Sequence, residues 1–72
     1  MSEFVEAVRA SLTEEWQSTR RIADSVPQRG VTSNTHLSSI GRVLRLMERD
    51  GLVEGRLVPT VHGRDKEWRL KG

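Results

Sequence analysis

Between Leu37 and Met47 the apolar side chains fall at Leu37, Ile40, Val43, Leu44 and Met47. That spacing puts them on one stripe of a helix turning roughly 100° per residue. About half a turn away lie Ser38, Arg42, Arg45 and Arg49, in steps of four, three and four. The pattern predicts a helix from about Asn34 to Arg49 that buries one face and holds out a hydroxyl and three guanidinium groups on the other. Asp50-Gly51 followed by Leu52-Val53 marks its end, with Gly51 in the left-handed conformation at C′ and Leu52 at C″ meeting Met47. At its start the cap candidates are Ser33 and Asn34.

The same reading runs along the rest of the chain. Ser2 is placed to cap a first helix from about Glu3 to Glu15, with Phe4, Val5, Val8 and Leu12 on its apolar stripe and Glu3 and Glu6 near its positive end. Trp16 follows, read as a lid over the core whose indole N–H finds a carbonyl. Ser18 or Thr19 caps a short second helix from about Thr19 to Ser25, with Ile22 and Ala23 inward and Val26 just beyond, and Pro27 stops it. Gln28 to Asn34 has loop composition. After the long helix, Val53 to Val58 has strand-compatible residues and Glu67 to Leu70 alternates, with an open tip from Pro59 to Lys66. Such a hairpin is marginal alone, so it leans on the helices through Trp68, Leu70 and Leu52. The expected fold is α+β: a three-helix cluster with a C-terminal two-stranded β-hairpin, one domain over residues 1–72.

Composition narrows the function classes. Seventy-two residues leave a thin core and little room for an internal substrate cavity. Without cysteine there is no disulfide framework or thiolate zinc site, and His36 and His62 alone cannot make a structural zinc site. No apolar run approaches a membrane span, and MSEFVEAVRA lacks the basic start and apolar block of a secretory signal, so a cytoplasmic location is expected. The net charge of +2 is uninformative until it is mapped. Residues 1–15 carry Glu3, Glu6, Glu14 and Glu15 against Arg9, whereas residues 16–47 carry Arg20, Arg21, Arg29, Arg42 and Arg45 against Asp24. An acidic start beside a basic middle suits a protein that turns one side to a polyanion. All the cations except Lys66 and Lys71 are arginine, whose planar fork grips phosphate, although genome base composition yields the same bias. Arg20 and Arg21 open the second helix at its positive end, where either solvent tolerates them or a phosphate compensates them.

From Ser18 to Leu70, about three quarters of the chain, the sequence resembles the winged helix-turn-helix domain of bacterial and archaeal transcription regulators, in particular the MarR and ArsR type. The resemblance is carried by STRRIADSV (Ser18 to Val26) and by IGRVLRLMERDGLVEGR (Ile40 to Arg56), in which Arg42, Glu48, Gly51, Leu52 and Val53 fall on the family's pattern positions. It implies that the helix from about Asn34 enters the major groove of duplex DNA. Ser33, Asn34, Thr35, His36, Ser38, Ser39 and Arg42 would then face bases or adjacent phosphates, and Arg45 the backbone. Arg20 and Arg21 would meet phosphate, while Arg64, with His62 and Lys66 nearby, would stand at a wing tip over the minor groove. The chain departs from the family in the longer connection from Pro27 to Ser33 and in Gly41, which costs about 1 kcal/mol in a helix interior. Leu46 lies off the apolar stripe with no assigned partner, and the long dimerisation helices of MarR-type regulators have no room here.

The function expected is therefore sequence-specific binding of double-stranded DNA by a small, repressor-like transcription regulator. A second copy or a larger host protein would supply the second half-site. The alternative is a winged-helix module that docks a protein. RNA is a lesser variant, since Phe4, Trp16 and Trp68 are all expected in the core. No enzymatic activity, cofactor or metal is expected, because neither histidine has a triad context and no phosphate-cradling glycine loop is present, and no small-molecule site can be inferred from the residues.

Overall fold

The computed structural model describes residues 3–71; the cap expected at Ser2 lies outside them. The elements are α1 (Glu3–Ser11), β1 (Gln17–Ser18), α2 (Thr19–Ser25), α3 (Ser33–Arg49), β2 (Val53–Thr60) and β3 (Gly63–Leu70). The α+β architecture is as expected: three helices, then a C-terminal hairpin. The hairpin gains a third, two-residue strand, because β1 pairs antiparallel with β3 to give the order β1-β3-β2.

The helix α1 is four residues shorter than its apolar stripe suggested, and local hydrogen bonds account for that. Ser11 Oγ donates back to the Ala7 carbonyl at 2.9 Å, and Thr13 Oγ1 accepts the Glu15 amide at 3.1 Å. Such side-chain bonds offer the backbone an alternative to the helical ladder. The Thr13 carbonyl is then free to accept the Leu70 amide at 2.7 Å, which fixes the exit of α1 to the far end of β3.

Ser18 is the cap of α2, its hydroxyl accepting the Arg21 amide at 3.1 Å. Neighbouring Thr19 does different work: its hydroxyl accepts the Trp68 indole N–H at 2.9 Å and donates to the Lys66 carbonyl at 3.1 Å. At α3 the cap is Thr32, one residue before the expected pair, with its Oγ1 accepting the Thr35 amide at 3.2 Å. The run from Val31 to Thr35 contains four cap-competent residues in a row, so local chemistry did not single one out.

The end of α3 follows the expected Schellman pattern. Leu52 N–H reaches the Met47 carbonyl at 2.9 Å, Gly51 N–H reaches Glu48 at 3.1 Å, and Gly51 has φ +78°. The Leu52 side chain is nonetheless exposed, so the hairpin rests on the helices through Val53 and Trp68, with Leu70 half-buried beside them.

Both strands run farther than expected, eight residues each, with Thr60 facing Gly63 and only Val61 and His62 in the turn. Pro59 does not end β2 because β2 is an edge strand, where a missing amide donor is tolerated. Gly55 has a different reason to be there. A Cβ at that position would lie 2.8 Å from Glu48 Oε2, 2.8 Å from Lys66 Cε and 3.0 Å from the Trp68 ring. The missing side chain lets β2 close over Trp68, which is 1% exposed.

The core joins Val8 and Leu12 to Ile22, Ala23 and Val26 of the α2 region, to Ile40, Leu44 and Met47 of α3, and to Val53 and Trp68 of the sheet. Among the described residues no buried side-chain nitrogen or oxygen lacks a hydrogen-bond partner, and no helix is long and apolar enough to cross a membrane.

Candidate nucleic-acid interface

The helix α3 is continuous from Ser33 to Arg49, and Gly41 does not break it. Ile40, Leu44 and Met47 are buried, with Leu37 and Val43 half-buried on the same stripe. The opposite row of Ser38, Arg42, Arg45 and Arg49 is exposed. Among the described residues none of these three guanidiniums has an ion pair, hydrogen bond or ring contact with the rest of the chain. The reason lies in the sequence of the helix: from Ser33 to Met47 it contains no acid, and its one carboxylate, Glu48, is taken by Lys66 at 3.4 Å.

Arg20 and Arg21 are exposed in the first turn of α2, where no acidic residue balances them. Arg64 is exposed on β3, opposite Pro59, two residues beyond the turn. Ser33, Asn34 and Thr35 are exposed at the start of α3, with Thr35 Oγ1 hydrogen-bonded to Thr32 Oγ1 at 3.0 Å.

Three expected positions need correction. His36 is 5% exposed and cannot reach a groove. Its Nε2 lies 2.9 Å from the Ala23 carbonyl, so that nitrogen carries the proton, and its ring meets Phe4 edge-on at 6.1 Å. It falls four residues before Ile40 and therefore on the buried stripe, a spacing that could have identified it. Lys66 is not at the wing tip: its ammonium is bonded to Glu48 and lies 4.4 Å from the Trp68 ring centre. Ser39 sits half-buried on the side of α3 next to α1, about 100° from Ser38. There, with Phe4, Ala7, Val26, Val31 and His36, it borders an apolar groove of about 400 Å³ that the sequence reading did not anticipate.

Trp16 is the other departure. It is half-buried and outside the core, lying against two guanidiniums, Arg56 at 4.2 Å and Arg69 at 4.5 Å from its ring centre. Each of these arginines also binds a carboxylate on the neighbouring strand, Arg56 to Glu67 at 2.7 Å and Arg69 to Glu54 at 2.9 Å. This face of the sheet is electrostatically closed on itself.

No family model, curated protein or solved structure matches the chain. The arrangement of α1, α2, α3 and the β2–β3 hairpin stands without them. Its architecture is that of a generic winged helix. A winged helix presents its third helix and its hairpin as two prongs, a frame compatible with holding DNA or a protein.

Proposed function

We propose that this chain binds double-stranded DNA in a sequence-specific manner and serves as a small transcription regulator of the MarR/ArsR type, repressing by occupying its site. In this reading α3 lies in the major groove. Ser38 and Arg42 read base edges, while Arg45, Arg20 and Arg21 hold phosphates. Ser33, Asn34 and Thr35 lie at the end of α3 that enters first. One observation carries the reading: the arginines of α3 are exposed and unpaired, whereas Arg56, Lys66 and Arg69 on the sheet are all neutralised by carboxylates of the chain. Three unpaired cations in a row along a helix whose one acid, Glu48, is held by Lys66 repel one another, and a polyanion relieves that repulsion. A module of this size covers only about 600–1,000 Å² of DNA, so two copies, or one copy within a larger host protein, would occupy adjacent half-sites. The chain acts by binding rather than catalysis in this reading, with His36 engaged by Ala23 and His62 isolated in the turn.

The test is fluorescence anisotropy of a labelled duplex titrated with protein across a salt series. A steep fall of log affinity with log salt, reduced in slope by Arg42→Ala and Arg45→Ala, supports the reading; a flat salt profile overturns it. A second reading, a protein-docking module, rests on Leu46, which is 47% exposed beside Arg42 and Arg49 on the outward side of α3. Retention of duplex DNA at low salt separates the two.

A further inference from the structure

Alternation along β2 puts Val53, Gly55, Leu57 and Pro59 on one side of the hairpin, with Leu70, Trp68, Lys66 and Arg64 as their partners on β3. This is the side turned to the helices, since Val53 is 2% exposed and a Cβ on Gly55 would strike Glu48 and Trp68. The apolar pattern continues outward after the helices have ended. Leu57 is 60% exposed, Pro59 is exposed, and Val61, crowning the turn, is 96% exposed. From Pro59 to Asp65 every residue is exposed, about three residues on each arm, so the outer part of the hairpin stands free over about 10 Å, at roughly 3.3 Å per residue.

Nothing in the local backbone requires valine at the apex. Turn positions favour Asn, Asp and Gly, and a β-branched residue there brings neither turn preference nor burial. The apolar stripe has a cation beside it: Arg64, exposed and unpaired among the described residues, is the cross-strand neighbour of Pro59, while the exposed Asp65 faces Val58 on the opposite side of the hairpin. An apolar point with a cation on its shoulder matches the minor groove, whose floor is lined by base edges and sugar carbons and whose rims carry phosphates. That groove is about 7.5 Å deep, within reach of the free half of the hairpin.

We infer that the hairpin tip is a wedge: Val61 enters the minor groove and partly unstacks a base step, Leu57 and Pro59 follow along the sugars, and Arg64 fixes the adjacent phosphate. The consequence is a bent duplex, because apolar side chains inserted from the minor groove kink DNA toward the major groove. This rests on the DNA-binding reading above and adds to it that the bound duplex is deformed.

The experiment uses a duplex of about 20 base pairs with a central TA step, which unstacks easily, labelled at both ends with a donor and acceptor pair. Anisotropy reports binding and energy transfer reports the end-to-end distance in the same titration. The chain should raise energy transfer as it binds. Val61→Ser, an exposed substitution whose fold is checked by circular dichroism, should lose that rise when the duplex is saturated with protein, and Arg64→Ala should weaken binding and lower the salt slope by about one. Binding with unchanged energy transfer, or a Val61→Ser protein that bends DNA as well as the parent, overturns the wedge and leaves the DNA reading standing. Absence of duplex binding at low salt overturns both, and binding of an acidic polypeptide in its place would then identify the stripe as a protein contact.

Discussion

Arg42, Arg45 and Arg49 of α3 and Arg56 and Arg69 of the sheet are the same side chain in opposite circumstances. Arg56 and Arg69 stand on strands whose cross-strand neighbours are Glu67 and Glu54, so the register itself delivers a carboxylate to each, and Trp16 lies over both. Arg42, Arg45 and Arg49 stand on a helix that supplies no acid at the positions three or four away, apart from Glu48, which Lys66 occupies. A guanidinium that is already bonded and stacked contributes to the fold and has little left to offer a ligand. One in open solvent adds nothing to the fold and is available. The pairing of each arginine, more than the number of arginines, separates a surface engaged in the fold from one left open to a ligand.

Four variants break or sharpen that contrast. The largest effect concerns the inward side of α3: His36→Ala removes a buried ring and its bond to Ala23, and should lower unfolding free energy by about 2–4 kcal/mol in urea denaturation. If the variant unfolds at the parent's midpoint, His36 is not a core residue. Next, Arg42→Ala combined with Arg45→Ala should weaken duplex binding about 10- to 100-fold, roughly 1.4–2.8 kcal/mol, while the thermal midpoint stays put; equal affinity in anisotropy would remove α3 from the interface. Gly41→Ala fills open space in a helix interior and should stabilise the fold by about 1 kcal/mol, read from the same denaturation curves. Smallest of all, Arg69→Ala should cost less than about 1 kcal/mol of stability, since exposed ion pairs and cation–π contacts are weak, and should leave DNA affinity unchanged. A marked loss of affinity there would erase the distinction between the two sets.

What could be read from residues alone divides along the range of the interactions involved. The periodicity of α3 and its glycine ending are local, and both appear in the structure as written. Local signals also mark the order of helices and hairpin. Everything set by partners distant in sequence was less legible. Trp16 and Trp68 look alike as isolated aromatics, yet Trp68 takes the core and its indole N–H goes to Thr19, while Trp16 goes to the arginines of the sheet. The extension of β2 past Pro59 depends on β2 being the edge strand, which only the pairing of β1 with β3 reveals. In the candidate interface the outward arginine row was visible as a helical period. Lys66 was misplaced because its partner, Glu48, comes from another element.

The central strand of the sheet, β3, follows α1 to β2 in the chain, and this orders events during synthesis. As the polypeptide emerges from the ribosome, α1, α2 and α3 are available before Trp68, whose bond to Thr19 spans 49 positions of the chain. Until β3 has cleared the exit tunnel, β1 and β2 have no strand between them and the helices lack Trp68, the side chain that closes their apolar seam.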